Sequence, residues 1–216
     1  MSPSGSAGPT VPPPPPRLEC NIFILPKGTL LHRIHDAKFG AIEFNPGFGA
    51  SRFAPVDMGG KKVPTAYGAT SLECAMFETI FHDVEASAAF KSLRWSAVEP
   101  AVYSQAQTLR DFRLASLFSA DLMKWGIERT QLIDTPKSTY VQTRGWVPPI
   151  HASDDNPEGI VWISRKFDED KALMLFGDRV TAADLQPVKS VRVASDADSL
   201  RVLLDLARRA GVTITR

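Results

Sequence analysis

A short strand that runs directly into a capped helix limits the folds open to this sequence. Residues 64–69 (Pro-Thr-Ala-Tyr-Gly-Ala) have the composition of a strand. Thr70-Ser-Leu-Glu73 then forms a capping-box pattern, in which two side chains satisfy free N–H groups of the first helical turn. A helix over residues 70–84 is predicted because apolar residues follow at helical spacing: Cys74, Phe77, Ile80, Phe81 and Val84.

Other apolar runs predict strands and helices that do not alternate regularly. Strands are predicted at 29–34, 159–164 and 172–176, and helices at 111–124 and 197–210. Gly211 would end the last helix as its C-cap. The two helices would bury Phe112, Ala115, Phe118 and Leu122, and Leu200, Leu203, Leu204 and Ala207. This order favours an α+β fold over a doubly wound sheet.

Two segments lack any lasting hydrophobic period. Residues 36–55 are rich in Gly, Pro, Asn and Phe, and so long an irregular segment in a compact domain is often functional. Residues 1–17 hold seven of the 17 prolines and predict a disordered, proline-rich lead before a single domain at 18–216. We interpret this lead as a spacer or tail in preference to a ligand for an SH3-like groove.

Charge and cysteine usage exclude several classes of protein. With 25 Lys and Arg against 24 Asp and Glu, the chain lacks the basic excess of a broad nucleic-acid surface. No apolar run approaches the roughly 18 residues of a membrane span, and the first residues do not have the pattern of a secretory signal. Cys20 and Cys74 form no C-x-x-C pair, which favours free thiols and a cytoplasmic location. No metal site is expected, because the histidines are not at zinc-like spacing.

Five polar residues are candidates for chemistry, although each has an ordinary structural explanation when taken singly. Arg33 and Arg52 carry guanidinium forks that match phosphate oxygens, but single arginines are more often partners in surface ion pairs. Glu78 lies at the edge of the apolar stripe of the predicted helix, where a boundary carboxylate in water is the ordinary case. Tyr67 precedes that helix and Ser164 ends a predicted strand, positions that suit a core tyrosine and a turn serine.

The order of the surrounding blocks is more specific than any single residue. The blocks are Leu31-His-Arg-Ile34, Phe48-Gly-Ala-Ser-Arg-Phe53, Ala66-Tyr-Gly-Ala-Thr-Ser-Leu-Glu-Cys-Ala-Met-Phe-Glu78 and Glu158-Gly-Ile-Val-Trp-Ile-Ser-Arg165. Over about residues 28–180 the sequence resembles the RES domain family, named for its arginine, glutamate and serine. One departure is Phe53, where many relatives have tryptophan.

The resemblance implies a fold, an activity and a partner. The expected fold is a compact, ADP-ribosyltransferase-like split β core with flanking helices. The expected activity is that of a bacterial toxin that depletes NAD+ by phosphorolysis or hydrolysis and is neutralised by a helix-turn-helix antitoxin. NAD+ would be the substrate and no cofactor is expected. Any self-association is expected to be a homodimer, the commonest oligomer.

The resemblance also implies roles for the five residues. Arg33 and Arg52 would clamp the pyrophosphate, and Tyr67 would flank the nicotinamide. Glu78, ionised, would bind the ribose hydroxyls and stabilise the positive charge of an oxocarbenium-like state. Ser164 would orient the substrate or Glu78. The acceptor is water or inorganic phosphate, and Arg165 or Arg144 would hold a second anion in the latter case.

Two other functions remain open at this point. An ADP-ribosyltransferase that modifies a macromolecule would use the same NAD+ site and differ only in its products. A non-catalytic protein-interaction module would use the proline-rich lead and the irregular segment as docking surfaces, and would consume no NAD+.

Overall fold

The computed structural model describes residues 10–216. Its strands are β1 (Ile22–Leu25), β2 (Leu30–Asp36), β3 (Val56–Met58), β4 (Lys61–Val63), β5 (Thr65–Ala69), β6 (Lys91–Arg94), β7 (Ala101–Thr108), β8 (Phe112–Ser116), β9 (Gly159–Ile163), β10 (Lys171–Phe176), β11 (Leu185–Arg192) and β12 (Val212–Thr215). Its α-helices are α1 (Leu72–Thr79), α2 (Trp95–Val98), α3 (Ser119–Lys124), α4 (Arg129–Leu132), α5 (Tyr140–Arg144), α6 (Val147–His151) and α7 (Ala197–Ala210), with short 3-10 turns at Lys137–Thr139 and Ala182–Asp184.

Eight of these strands form one mixed sheet in the order β1-β8-β9-β10-β5-β2-β7-β11. Only the β8–β9 pair in it is parallel, and the other neighbours are antiparallel. Within the described residues, β12 pairs with β6 and β3 with β4 in separate two-stranded sheets. The α+β class predicted from the sequence is therefore confirmed.

The large sheet opens between its neighbours β2 and β5. Strand β2 pairs with β7 along its whole length, but it pairs with β5 only where His32 faces Ala69. Beyond that point, Arg33 on β2 and Tyr67 and Gly68 on β5 line a cleft instead of pairing. The opening places side chains from two central strands around one space, which is how this fold makes its candidate site.

Apolar side chains cover both faces of the sheet. One cluster packs α1 and α7 on the sheet and includes Met76, Phe81 and Leu203. A smaller cluster on the other side includes Phe112 and Leu114. Both faces of the central strands are thereby removed from water, which is the main favourable contribution to folding.

Helix α1, Leu72–Thr79, begins two residues later and ends five residues earlier than the predicted span of 70–84. Its N-cap is Ser71, whose hydroxyl accepts the N–H of Cys74, and not Thr70. The Thr70 hydroxyl instead donates to Asp170 and accepts the N–H of Lys171, so it ties the end of β5 to β10. The helix ends at Thr79, and residues to Val84 continue in turns.

The helix predicted at residues 111–124 is wrong in its first half. Residues 112–116 form β8, between β1 and β9, and only the six residues of α3 are helical. Phe112 and Ala115 are buried, as predicted, but the reason differs. They lie on a central strand that is covered on both faces, and not on the inner face of a helix. The alternation of Phe112, exposed Arg113 and Leu114 was the sequence signal for a strand.

The C-terminal helix is confirmed, with one change in its buried face. Helix α7 spans the predicted residues, and Gly211 caps it with a left-handed φ of 64°. Leu203 and Ala207 are buried as predicted, but Leu204 is 48% exposed and Leu206 is buried in its place. Among the described residues, no helix has both the length and the apolar character to cross a bilayer.

The proline-rich lead differs from the disordered segment that its composition predicted. Residues 1–9 lie outside the described part of the chain. In the rest of the lead, Val11 packs against the core and the carbonyl of Pro12 accepts the indole N–H of Trp146 at 2.8 Å. Composition alone could not predict the hydrogen bond between Pro12 and Trp146, because the two residues lie 134 positions apart.

Candidate active site

The cleft between β2 and β5 has a volume of about 390 Å³ and contains most of the predicted site residues. Arg33, Arg52, Tyr67 and Glu78 line it. Ser164 lies behind the wall of the cleft and is fully buried. A larger and more open depression of about 550 Å³ lies next to it, but none of the five residues reaches that space. The chemistry-bearing side chains thus identify the narrower cleft as the candidate site.

Glu78 is held from behind by Ser164. The Ser164 hydroxyl donates a 2.6 Å hydrogen bond to Glu78 Oε1. It also accepts the backbone N–H groups of Lys166, at 3.1 Å, and Phe167, at 3.0 Å. Both acceptor positions of the hydroxyl are then occupied, so its proton is directed at the carboxylate. A charge-assisted bond of this kind fixes the orientation of Glu78 at the end of α1.

Cys74 lies one helical turn before Glu78 and is fully buried. Burial, with the nearby charge of Glu78 adding to it, raises the pKa of the Cys74 thiol to about 12. A thiol with this pKa stays protonated near neutral pH and is a poor nucleophile. The thiol is therefore unsuited to nucleophilic chemistry, and the carboxylate of Glu78 is the candidate group on this face of α1.

Arg52 is enclosed by polar oxygens and an aromatic ring. Its Nη1 donates to Thr135 Oγ1 at 2.5 Å and to the carbonyl of Leu132 at 3.3 Å, and its Nη2 donates to the carbonyl of Thr135 at 3.1 Å. The guanidinium carbon lies 5.0 Å from the centre of the Tyr140 ring. Burial lowers the pKa of Arg52, but an arginine remains a cation at physiological pH.

Helix α5 also holds the backbone of the segment that carries Arg52. Thr143 Oγ1 donates to the carbonyl of Arg52 at 2.5 Å. Arg144 Nη1 donates to the carbonyl of Ser51 at 3.3 Å. Because Tyr140 contacts the same arginine from the start of α5, the helix fixes both the backbone and the side chain of Arg52.

The hydroxyl of Tyr67 secures the same segment from the side of β5. It makes a 2.7 Å hydrogen bond with Ser51 Oγ and accepts the N–H of Phe53 at 3.3 Å. Its ring packs edge-on against Trp162 with the centroids 6.2 Å apart. Burial raises the pKa of Tyr67, so the hydroxyl stays protonated as a hydrogen-bonding group. The ring faces the cleft while the hydroxyl organises the loop.

Arg33 projects from β2 towards the irregular segment. Its Nη1 donates to the carbonyl of Glu43 at 2.6 Å and more weakly to that of Ala41 at 3.5 Å. Burial lowers the pKa of Arg33. Among residues 10–216, neither Arg33 nor Arg52 lies within ion-pair distance of a carboxylate. Two partly desolvated cations with only neutral partners are suited to an anionic ligand.

The segments after β9 and α4 add a further cation behind the cleft. Arg165 Nη1 donates to the carbonyl of Thr135 at 2.5 Å, the same oxygen that accepts from Arg52. Two guanidinium groups therefore lie side by side, and in the described chain no carboxylate pairs with Arg165 either. Lys166 donates to the carbonyl of Val84 at 2.7 Å, and burial lowers its pKa.

Sequence reasoning missed the residues that form one rim of the cleft. His82 contacts the hydroxyl of Tyr140 at 3.2 Å and Asp83 at 2.7 Å, and Lys137 pairs with Asp83 at 2.5 Å. These contacts join the end of α1 to the start of α5. The segment that holds Tyr140 and Lys137 has no lasting hydrophobic period and no recognisable motif, so local pattern did not indicate its role. Among residues 10–216, no group of three His, Cys, Asp or Glu residues is arranged to hold a metal ion.

The opened mixed sheet with flanking helices is an α+β fold with an ADP-ribosyltransferase-like split β core. The chain belongs to the RES domain family, because the family model matches residues 30–204. The match extends further towards the C-terminus than the 28–180 recognised in the sequence. None of the curated proteins compared with the chain matches it.

A solved structure shares the fold. A chain in the crystal structure of the M. tuberculosis MbcT–MbcA toxin–antitoxin complex is 18% identical in sequence, with a TM-score of 0.52. The likeness covers 78% of this chain and 85% of that chain. At this level of identity it bears on the fold, which agrees with the one expected from the family.

Proposed function

We propose that this protein is a bacterial toxin that depletes NAD+ by cleaving the bond between nicotinamide and ribose. One observation carries the proposal: a carboxylate, Glu78, is held by Ser164 in a cleft lined by two arginines, and among residues 10–216 no carboxylate lies at ion-pair distance from either arginine. The cleft offers one fixed negative charge and two positive charges. NAD+ has the complementary arrangement, with a cationic nicotinamide riboside and an anionic pyrophosphate.

Bond cleavage in such a site depends on electrostatics more than on acid catalysis. Nicotinamide takes the electron pair of the C–N bond and departs as a neutral molecule, which leaves positive charge on the ribose. Glu78 stabilises this oxocarbenium-like state and accepts hydrogen bonds from the ribose hydroxyls. Ser164 acts through Glu78, since its proton is directed at the carboxylate and it does not line the cleft.

Substrate positioning is assigned to the remaining residues. Arg33 and Arg52 hold the pyrophosphate through N–H groups that their neutral partners leave free. The ring of Tyr67 flanks the nicotinamide, and its hydroxyl keeps Ser51 and Phe53 in place. The acceptor of the ribosyl group is water or inorganic phosphate. Arg165, beside Arg52, or Arg144 would bind the phosphate in the second case.

A protein that depletes NAD+ in the cytoplasm needs an inhibitor in the cell that makes it. We propose a helix-turn-helix antitoxin as that partner, as is usual for the family. The structurally similar chain comes from a toxin–antitoxin complex, which supports an antitoxin as the class of partner.

The test is to incubate the purified protein with NAD+, with and without inorganic phosphate, and to identify the products by mass spectrometry. Loss of NAD+ with release of nicotinamide is expected, and phosphate dependence distinguishes phosphorolysis from hydrolysis. Glu78→Gln should abolish the reaction. Glu85→Gln is the matched control, because Glu85 is an exposed carboxylate shortly after α1.

The other two functions give different results in the same assay. An ADP-ribosyltransferase would label a macromolecule when cell extract is added to isotopically labelled NAD+. A non-catalytic module would leave NAD+ intact under every condition, although the protein is folded, and that result would overturn the proposal.

A further inference from the structure

Two tryptophans donate hydrogen bonds to the chain within and just after residues 10–17, the described part of the proline-rich lead. Trp146 Nε1 donates to the carbonyl of Pro12 at 2.8 Å, and Trp125 Nε1 donates to the carbonyl of Glu19 at 3.0 Å. The two indole rings lie 5.8 Å apart at an interplanar angle of 30°. Val11, next to Pro12, packs against the core. This part of the chain precedes the residues that the family model matches, 30–204.

The pairing suits the chemistry of a proline run. Residues 12–16 are five consecutive prolines, which have no backbone N–H and are restricted to extended conformations. Their carbonyls have no partners within such a segment and need donors from elsewhere. Indole rings recognise polyproline by packing on it and donating their single N–H to a carbonyl. Trp146 is fully buried, so its N–H requires the acceptor that Pro12 supplies.

Trp146 also connects the lead to the candidate active site. It follows directly after α5 and the glycine that ends it. At the other end of α5, the ring of Tyr140 supports the guanidinium of Arg52, and Thr143 holds the carbonyl of Arg52. The helix is only five residues long, and an isolated helix of this length is not stable in water. Its position depends on the contacts at its two ends.

We propose that the described part of the proline-rich lead, residues 10–17, is an intramolecular ligand of Trp146, and that Trp146 is a positioning residue for the loop that carries Arg52. The lead holds Trp146, Trp146 fixes the end of α5, and α5 fixes Arg52. The lead then acts as part of the active-site support and not as a free spacer. The binding part of this inference is independent of the proposed function, whereas its effect on catalysis rests on that function.

The test compares two full-length variants that each place one new carboxylate in the lead. Val11→Asp puts a charge at a partly buried position, and Thr10→Asp puts the same charge at an exposed one. Indole N–H signals are recorded by ¹H–¹⁵N NMR, and Trp146→Phe identifies the Trp146 signal. Hydrogen exchange is measured for the amides of residues 140–146, and KM and kcat are measured with NAD+.

Val11→Asp is expected to shift the Trp146 indole signal and to speed exchange of the α5 amides about tenfold. KM should rise about three- to tenfold, the scale of one lost hydrogen bond, with kcat within about twofold. Thr10→Asp should match the wild type in its indole signals, in its amide exchange and in its KM and kcat. An unchanged Trp146 signal in Val11→Asp would overturn the binding, and a changed signal with unchanged α5 exchange would overturn the positioning role. If the wild type consumes no NAD+, the proposed function fails, and the signal and exchange measurements still decide this inference.

Discussion

Ser164 Oγ donates a 2.6 Å hydrogen bond to Glu78 Oε1, although the two residues lie 86 positions apart in the sequence. The bond joins the end of β9 to the end of α1. Since Lys166 and Phe167 donate their N–H groups to the same hydroxyl, the serine has one direction left for its proton. Ser164 therefore orients the carboxylate and stabilises the turn after β9 at the same time.

Ser164→Ala is expected to lower kcat for NAD+ cleavage about 10- to 100-fold, because Glu78 loses its fixed orientation. It should also lower the free energy of unfolding by about 1–3 kcal/mol, because one buried and one partly buried N–H group lose their acceptor. Steady-state kinetics and urea unfolding measure the two effects separately. In the double variant with Glu78→Gln, kcat should equal that of Glu78→Gln alone. If the losses of kcat in the two single variants multiplied in the double variant, Ser164 would not act through Glu78.

The sequence predicted the residues that this fold brings together because each lies in a locally recognisable block. Glu78 lies on a capped helix, Tyr67 on the strand before it, and Ser164 at the end of an apolar strand. Their convergence could not be derived from local pattern, since Ser164 reaches Glu78 through sheet pairing between β9, β10 and β5. The order of the blocks, and not the composition, carried that information.

Arg52→Lys is expected to raise KM for NAD+ about tenfold or more, while Arg113→Lys leaves it unchanged. Lysine retains the charge, but it cannot reproduce the hydrogen bonds that the guanidinium makes to Thr135 and Leu132. The loss of charged contacts of this kind corresponds to about 1.5–3 kcal/mol. Arg113 is a suitable control because it is exposed and its guanidinium donates to one backbone carbonyl, that of Asp155. An equal rise in both variants would exclude a specific role for the fork of Arg52.

The contacts of Arg52 show where sequence reasoning ends. Thr135 and Tyr140 lie more than 80 positions after Arg52 and belong to a segment of short helices and turns. Neither residue type predicts a contact with an arginine. The strand β8 was missed for a different reason, because a buried central strand and a buried helix both place apolar residues three positions apart. Tertiary packing, which a single window does not contain, decided both cases.

Tyr140→Leu is expected to raise KM about two- to tenfold, whereas Tyr140→Phe stays close to the wild type. The ring supports the Arg52 guanidinium at 5.0 Å, and a cation–π contact contributes about 0.5–2 kcal/mol. Phenylalanine keeps that ring and loses only the contact of the hydroxyl with His82. If Tyr140→Phe is as impaired as Tyr140→Leu, the hydroxyl and not the ring is the important group. The KM for NAD+, measured at a saturating concentration of the acceptor, distinguishes the role of the ring from that of the hydroxyl.

Acidification from pH 7 to pH 5 is expected to destabilise the fold through its buried histidines. Burial lowers the pKa of His32, His35 and His151. For His151, the nearby Arg179, which donates to Nδ1, adds to the lowering of the pKa, whereas Asp178, 2.9 Å from Nε2, opposes it. Above the unfolded pKa of about 6.5 these groups are neutral in both states and the stability is complete. As the pH falls below that value the unfolded chain takes up protons first, so stability is lost until the folded pKa values are passed.

The carboxylates act in a lower pH window and do not obscure this effect. Hydrogen bonds lower the pKa values of four aspartates from 3.8: Asp36, Asp83, Asp184 and Asp196. The stability that these carboxylates contribute is therefore lost only as the pH falls below about 4. Urea unfolding at pH 7.5, 6.5 and 5.5 measures how the free energy of unfolding changes with pH. Each histidine contributes at most about 1.4 kcal/mol per pH unit to this slope. His151→Gln keeps a hydrogen-bonding side chain without a titratable proton and should flatten the slope. Equal stability of the wild type at pH 7.5 and 5.5 would show that these histidines protonate as easily in the folded state as in the unfolded one.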